Sequence, residues 1–79
     1  MIDLPPPVFD YPFLGRQAVY AVEPWRVDWT CREIGGTAPR VYLACTIRFS
    51  DRVCFTVLPT RASRELRRHE NGRCNGWRD

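Results

Sequence analysis

The sequence predicts a small α+β domain in which a short antiparallel sheet, built around one β-hairpin, is packed by two helices. Three observations carry this expectation. Residues 41–49 and 52–58 are strand-forming runs separated by Ser50-Asp51, which reads as a tight hairpin over about 41–58. Residues 24–34 and 61–72 flank that hairpin with helical spacing, helix starts and helix stops. With 79 residues and four cysteines there is material for one domain, of a size that often needs disulfides or a metal to hold it together.

Taken in order, residues 1–16 form an arm. Pro5, Pro6, Pro7 and Pro12 forbid a helix, and the triple proline favours polyproline II. Val8, Phe9, Tyr11, Phe13 and Leu14 make this arm too apolar for a solvated tail. It is expected to lie against the single domain of residues 17–79. Residues 17–22 alternate weakly and are rich in β-formers, as a short strand would be. Pro24 suits the first turn of a helix and Gly35-Gly36 its stop. Val27, Cys31 and Ile34 share the expected core face of that helix, with Trp25, Trp29 and Arg32 on the opposite face.

In the hairpin, Cys45 is expected to alternate inward with Leu43 and Ile47. Pro59 closes the second strand, and Thr60 or Ser63 can cap the helix that follows. On that last helix Ala62, Leu66, His69 and Arg73 form one stripe, expected to face inward and bordered by Glu70. Arg61, Arg64, Arg67 and Arg68 form the solvated side.

Charge and hydropathy narrow the function classes. All twelve basic residues are arginine and the formal charge is +3, a mild bias that does not by itself imply nucleic acid. The arginine face is interrupted by Glu65 and has no interleaved aromatics, so nucleic-acid binding through it is expected to be weak at most. No stretch approaches the ~20 apolar residues of a membrane span. A monomer or a weak dimer is expected. The exposed pair Trp25 and Trp29 is the candidate protein interface, unless the aromatic arm covers both indoles.

The even cysteine count suggests two bridges and an oxidising compartment, periplasmic or secreted. The opening Met1-Ile2-Asp3-Leu4-Pro5, without a basic or apolar leader, argues instead for the cytoplasm. No C-x₂₋₄-C pair is present, which disfavours a structural zinc site and a redox dithiol alike. Cys31–Cys45 would join the inner face of the first helix to the hairpin, and Cys54–Cys74 would then tie the terminal segment to the sheet. The rival pairing is Cys45–Cys54 across the hairpin, with Cys31–Cys74.

The terminal run His69-Glu70-Asn71-Gly72-Arg73-Cys74-Asn75-Gly76-Trp77 follows H-E-x-x-H up to its fifth position. In that motif two histidines one helical turn apart hold Zn²⁺ and the glutamate activates a bound water. From Val41 onward the chain resembles a group of short bacterial zincin-like metallopeptidases. The shared features are a hairpin with two cysteines, a strand ending in proline, and a terminal H-E-x-G-H-C-N-G-W. Cys45, Cys54, Pro59 and Cys74-Asn75-Gly76-Trp77 carry the likeness, with Phe9-Asp10-Tyr11-Pro12 and Cys31 also fitting.

The resemblance implies that His69 occupies a zinc-ligand position and Glu70 that of the general base. Asp79 falls where longer signatures place a third ligand. Arg73 departs from the pattern, because a guanidinium cannot ligate a metal. His69 and Asp79 are fewer than the three protein ligands of a catalytic zinc site. The expectation is therefore a degenerate, metal-free zincin-like domain, inactive at Glu70, in which an Arg73–Glu70 ion pair replaces the metal. It would act by protein binding or as a small inhibitor, with no cofactor. The alternative is an active zinc metallopeptidase completed by a ligand from elsewhere.

Overall fold

A computed structural model describes residues 2–78. The chain runs through a 3₁₀ turn (Pro7–Phe9), strand β1 (Arg16–Val22), a second 3₁₀ turn (Pro24–Arg26), helix α1 (Val27–Glu33), strands β2 (Cys45–Arg48) and β3 (Val53–Pro59), and helix α2 (Arg64–Cys74). The architecture is α+β, as expected. Among the described residues no helix is long and apolar enough to cross a membrane.

The sheet corrects one expectation: it is mixed rather than antiparallel. Its order is β1-β3-β2, with β3 in the centre. β2 pairs antiparallel with β3, as a hairpin must, whereas β1 pairs parallel with β3 from Arg16↔Val53 to Val22↔Pro59. The chain reverses once across α1 and the 35–44 segment and again at the hairpin. Two reversals leave β1 and β3 running the same way.

The hairpin is also shorter than its strand-forming residues suggest. Asp28 on α1 accepts the Tyr42 backbone N–H at 2.8 Å, and the Tyr42 hydroxyl accepts the Ala38 N–H at 3.1 Å. Residues 38–42 are thus tied to α1, and Val41 and Leu43 are exposed rather than inward. At the other end, the Ser50 hydroxyl accepts the N–H groups of Arg52 and Val53, making a wider turn than two residues.

Each helix forms where its local signals place it. The Pro24 turn leads directly into α1, which stops at Gly35 (φ +114°) with the Gly36 N–H returning to the Cys31 carbonyl at 2.9 Å. Val27 and Cys31 are buried, but Ile34 is 37% exposed because it lies in the unwinding cap. α2 begins at Arg64 rather than Arg61. Arg61 sits at φ 61°, outside helical geometry, and the Ser63 hydroxyl caps the helix by accepting the Leu66 N–H at 3.1 Å.

The two disulfides lie on opposite faces of the sheet. Cys31–Cys45 fastens α1 to β2, and Cys54–Cys74 fastens β3 to α2. Cys45 stands opposite Val57, an odd number of residues from Cys54, so the two strand cysteines point to different sides. That alternation excludes the Cys45–Cys54 bridge. It also makes three layers, with a small core on each side of the sheet. Val22, Val27, Cys31, Cys45 and Val57 fill the α1 side; Ala44, Leu58 and Leu66 fill the α2 side, with Ile2 and Ala62 against them. With so few apolar side chains in each layer, closures of about 3 kcal/mol apiece are large contributions.

Candidate functional site

The rotation of α2 decides which residues its last turns present to the sheet. Cys74 is completely buried by its bond to Cys54, and one and two turns earlier Glu70 and Leu66 are buried with it. The inward stripe is therefore Leu66, Glu70 and Cys74, shifted by one residue from the expected Leu66, His69 and Arg73. His69 and Arg73 flank it, half-buried, and Glu70 occupies the centre at 3% exposure.

A buried carboxylate needs donors, and the sheet supplies one. The Thr46 hydroxyl donates to Glu70 Oε1 at 2.8 Å. Thr46 in turn lies 3.2 Å from the hydroxyl of Thr56, its register partner on β3, and Gln17 Nε2 on β1 donates to Thr56 at 3.3 Å. One polar chain thus crosses all three strands and ends on the helix. Arg73 Nη1 stands 3.8 Å from Glu70 Oε1, and His69 Nε2 stands 3.8 Å from Oε2.

The sequence reading named Glu70, His69 and Arg73 but missed Gln17, Thr46 and Thr56. A signal was present. Once Cys54 is assigned to Cys74, alternation places Thr56 on the α2 face, with Thr46 opposite it.

The remaining residues of the terminal motif have structural tasks. Asn75 caps the helix, and its side-chain amide donates to the Phe9 and Tyr11 carbonyls at 2.9 and 2.6 Å. Gly76 takes φ +105°, which lets the Trp77 N–H return to the Gly72 carbonyl at 3.0 Å. Trp77 then meets the His69 ring edge-on, with centroids 5.0 Å apart. Gly72 is buried under the Pro5 ring, so close that an added Cβ would lie 2.6 Å from Pro5 Cβ.

The arm accordingly runs along α2. The His69 Nδ1–H donates to the Asp3 carbonyl at 2.6 Å, Asn71 donates to the Tyr11 carbonyl at 2.6 Å, and Arg68 pairs with Asp10. The arm does not cover the tryptophans. Trp25 and Trp29 lie on the α1 side and are 78% and 58% exposed, with the Arg26 guanidinium 5.9 Å from the centre of the Trp29 ring.

Two of the three expected zinc-site positions, His69 and Arg73, fall within the described residues. His69 is oriented by its Nδ1 donation to the Asp3 carbonyl. One turn further on, where H-E-x-x-H would have its second histidine, stands the Arg73 guanidinium, a fixed cation beside Glu70. Among the described residues, no three His, Cys, Asp or Glu side chains come together as a metal would require. Asp79, the other expected ligand, lies outside the described residues.

No family model matches the chain, and comparison with curated proteins and with solved structures finds no match.

Proposed function

We propose that this is a metal-free, non-catalytic domain of zincin-like type that acts by binding another protein. One observation carries the reading: the Glu70 carboxylate, placed where a general base would stand, is buried and engaged by the Thr46 hydroxyl and the Arg73 guanidinium. A general base must reach a substrate-bound water and accept its proton. A carboxylate held in the helix–sheet interface instead anchors α2 to β2. The H-E turn then serves as scaffold, and the exposed surfaces do the binding.

The test is elemental analysis of the purified chain, as isolated and after equilibration with equimolar Zn²⁺ and desalting, beside a peptidase assay with and without EDTA. The expected result is less than one-tenth equivalent of zinc and no EDTA-sensitive cleavage. Stoichiometric zinc retained by the unmodified chain, or EDTA-sensitive peptide hydrolysis, would overturn the proposal.

A further inference from the structure

Strand β1 is a seven-residue edge, exposed from Arg16 to Ala21 and buried only at Val22. Its backbone groups divide by parity. The Arg16 N–H donates to the Arg52 carbonyl at 2.7 Å and the Val22 carbonyl accepts the Thr60 N–H at 2.8 Å, so even-numbered residues face β3. Gln17, Val19 and Ala21 therefore turn their N–H and C=O groups away from the sheet. Natural edges of this length are ordinarily blunted by a proline, a bulge or lysines. The run Arg16-Gln17-Ala18-Val19-Tyr20-Ala21-Val22 has no proline or bulge, carries a charge only at its first residue, and exposes Val19 and Tyr20 by more than half. The other edge, β2, has only four residues.

Two of these odd-numbered residues, Gln17 and Val19, border a groove of about 440 Å³. Val19, Leu58 and Pro12 give it an apolar lining, and Arg64, Arg67 and Arg68 from α2 supply its charge. Asp10 and Glu70 also line it, and the carboxylates of both are engaged: Asp10 with Arg68, and Glu70, buried, with Thr46 and Arg73. Among the described residues no carboxylate pairs with Arg64 or Arg67, so these two guanidiniums set the sign of the groove. On the opposite face β1 presents Ala18 and Tyr20, which are apolar and exposed.

We infer that β1 and this groove take an extended acidic segment of a partner protein as a fourth strand, in which acidic side chains alternate with apolar ones. Main-chain bonds to Gln17, Val19 and Ala21 would hold the strand. Its acidic side chains would lie on the arginine side and its apolar ones beside Tyr20. The inference rests on the protein-binding reading above and names the chemistry of the partner.

The test uses the intact, oxidised chain in EDTA and physiological salt, titrated into fluorescein-labelled (Glu-Val)₄ and (Lys-Val)₄ peptides and followed by anisotropy. The acidic peptide is expected to bind at least tenfold more tightly than the basic one, and to weaken as salt rises. Val19→Pro removes an outward N–H without touching a bond to β3, so it should abolish binding while circular dichroism stays unchanged. If that variant misfolds, an acidic peptide N-methylated at alternate residues probes the same bonds on the unaltered protein and should not bind. Arg64→Glu with Arg67→Glu should reverse the charge preference.

Equal binding of the two peptides, or binding indifferent to N-methylation, would overturn the inference. So would a stable dimer dispersed by Val19→Pro, since the edge would then take a second copy of this chain. Preferential binding of a single-stranded oligonucleotide that displaces the acidic peptide would overturn it as well. Mass analysis of peptide recovered from a parallel sample with Zn²⁺ and without EDTA separates the two proposals: cleavage would sink the non-catalytic reading, whereas absence of binding would sink only the fourth-strand inference.

Discussion

Thr46 and Glu70 meet across the interface between β2 and α2, the threonine hydroxyl donating to Oε1 at 2.8 Å. The bond joins two residues 24 positions apart in sequence and gives a buried carboxylate a donor where it would otherwise have lost water. It predicts that Thr46→Val, a change of nearly constant volume, destabilises the domain by about 1.5–3 kcal/mol, the range for a hydrogen bond to a charged group. Urea unfolding with both disulfides intact measures this. A change below a few tenths of a kcal/mol would mean that Glu70 does not depend on Thr46.

Arg73 stands where H-E-x-x-H has its second histidine, and His69 already directs Nδ1 to a carbonyl. Arg73→His is therefore expected to bind zinc more tightly than the parent chain. The check is native mass spectrometry after equilibration with one equivalent of Zn²⁺. Restored binding would support descent from a metal site. A variant that folds and remains metal-free would argue that the geometry of this turn was never a zinc site.

Acid should loosen the arm and the 38–42 segment before the core. A hydrogen bond from the Tyr42 N–H, and then one from Arg32, hold Asp28 below its ordinary value; a hydrogen bond from Arg68 does the same for Asp10. A depressed folded value means that the stabilisation is complete above the ordinary aspartate pKa of about 3.9 and is lost as pH falls through the folded value. The thermal midpoint should accordingly fall below about pH 4, and Asp28→Asn should flatten that slope. Identical slopes for the two proteins would remove Asp28 from the account. Both groups are partly exposed, so the effect should also shrink in high salt.

Gly72 lets the arm approach α2. A methyl group there would meet Pro5 at 2.6 Å, and Trp77 Cε3 at 3.3 Å. Gly72→Ala should raise the intrinsic helix propensity of α2 yet displace the arm, since the ring cannot withdraw without breaking the Asp3–His69 bond nearby. Limited proteolysis should then cut within residues 2–12 at least several-fold faster. Unchanged cleavage would show that the arm absorbs the methyl group.

Local chemistry determined much of this protein from the sequence alone. Pro24 and Gly35-Gly36 bound α1, Ser63 caps α2, Pro59 closes β3, and the solvated arginine side of α2 follows from helical spacing. These signals act within one turn or one strand, where the physics is short-ranged.

What tertiary structure decided depends on which surfaces meet. The parallel pairing of β1 required knowing how often the chain reverses, and the arm's place on α2 rather than over Trp25 and Trp29 required knowing which face α1 left open. The candidate site turned on a rotation of one residue. Covalent closure at Cys74 placed Glu70, not His69 and Arg73, at the centre of the interface, and only then did Thr46 and Thr56 become its partners. Helical periodicity alone leaves a neighbouring stripe nearly equivalent; the disulfide to β3 removes that freedom.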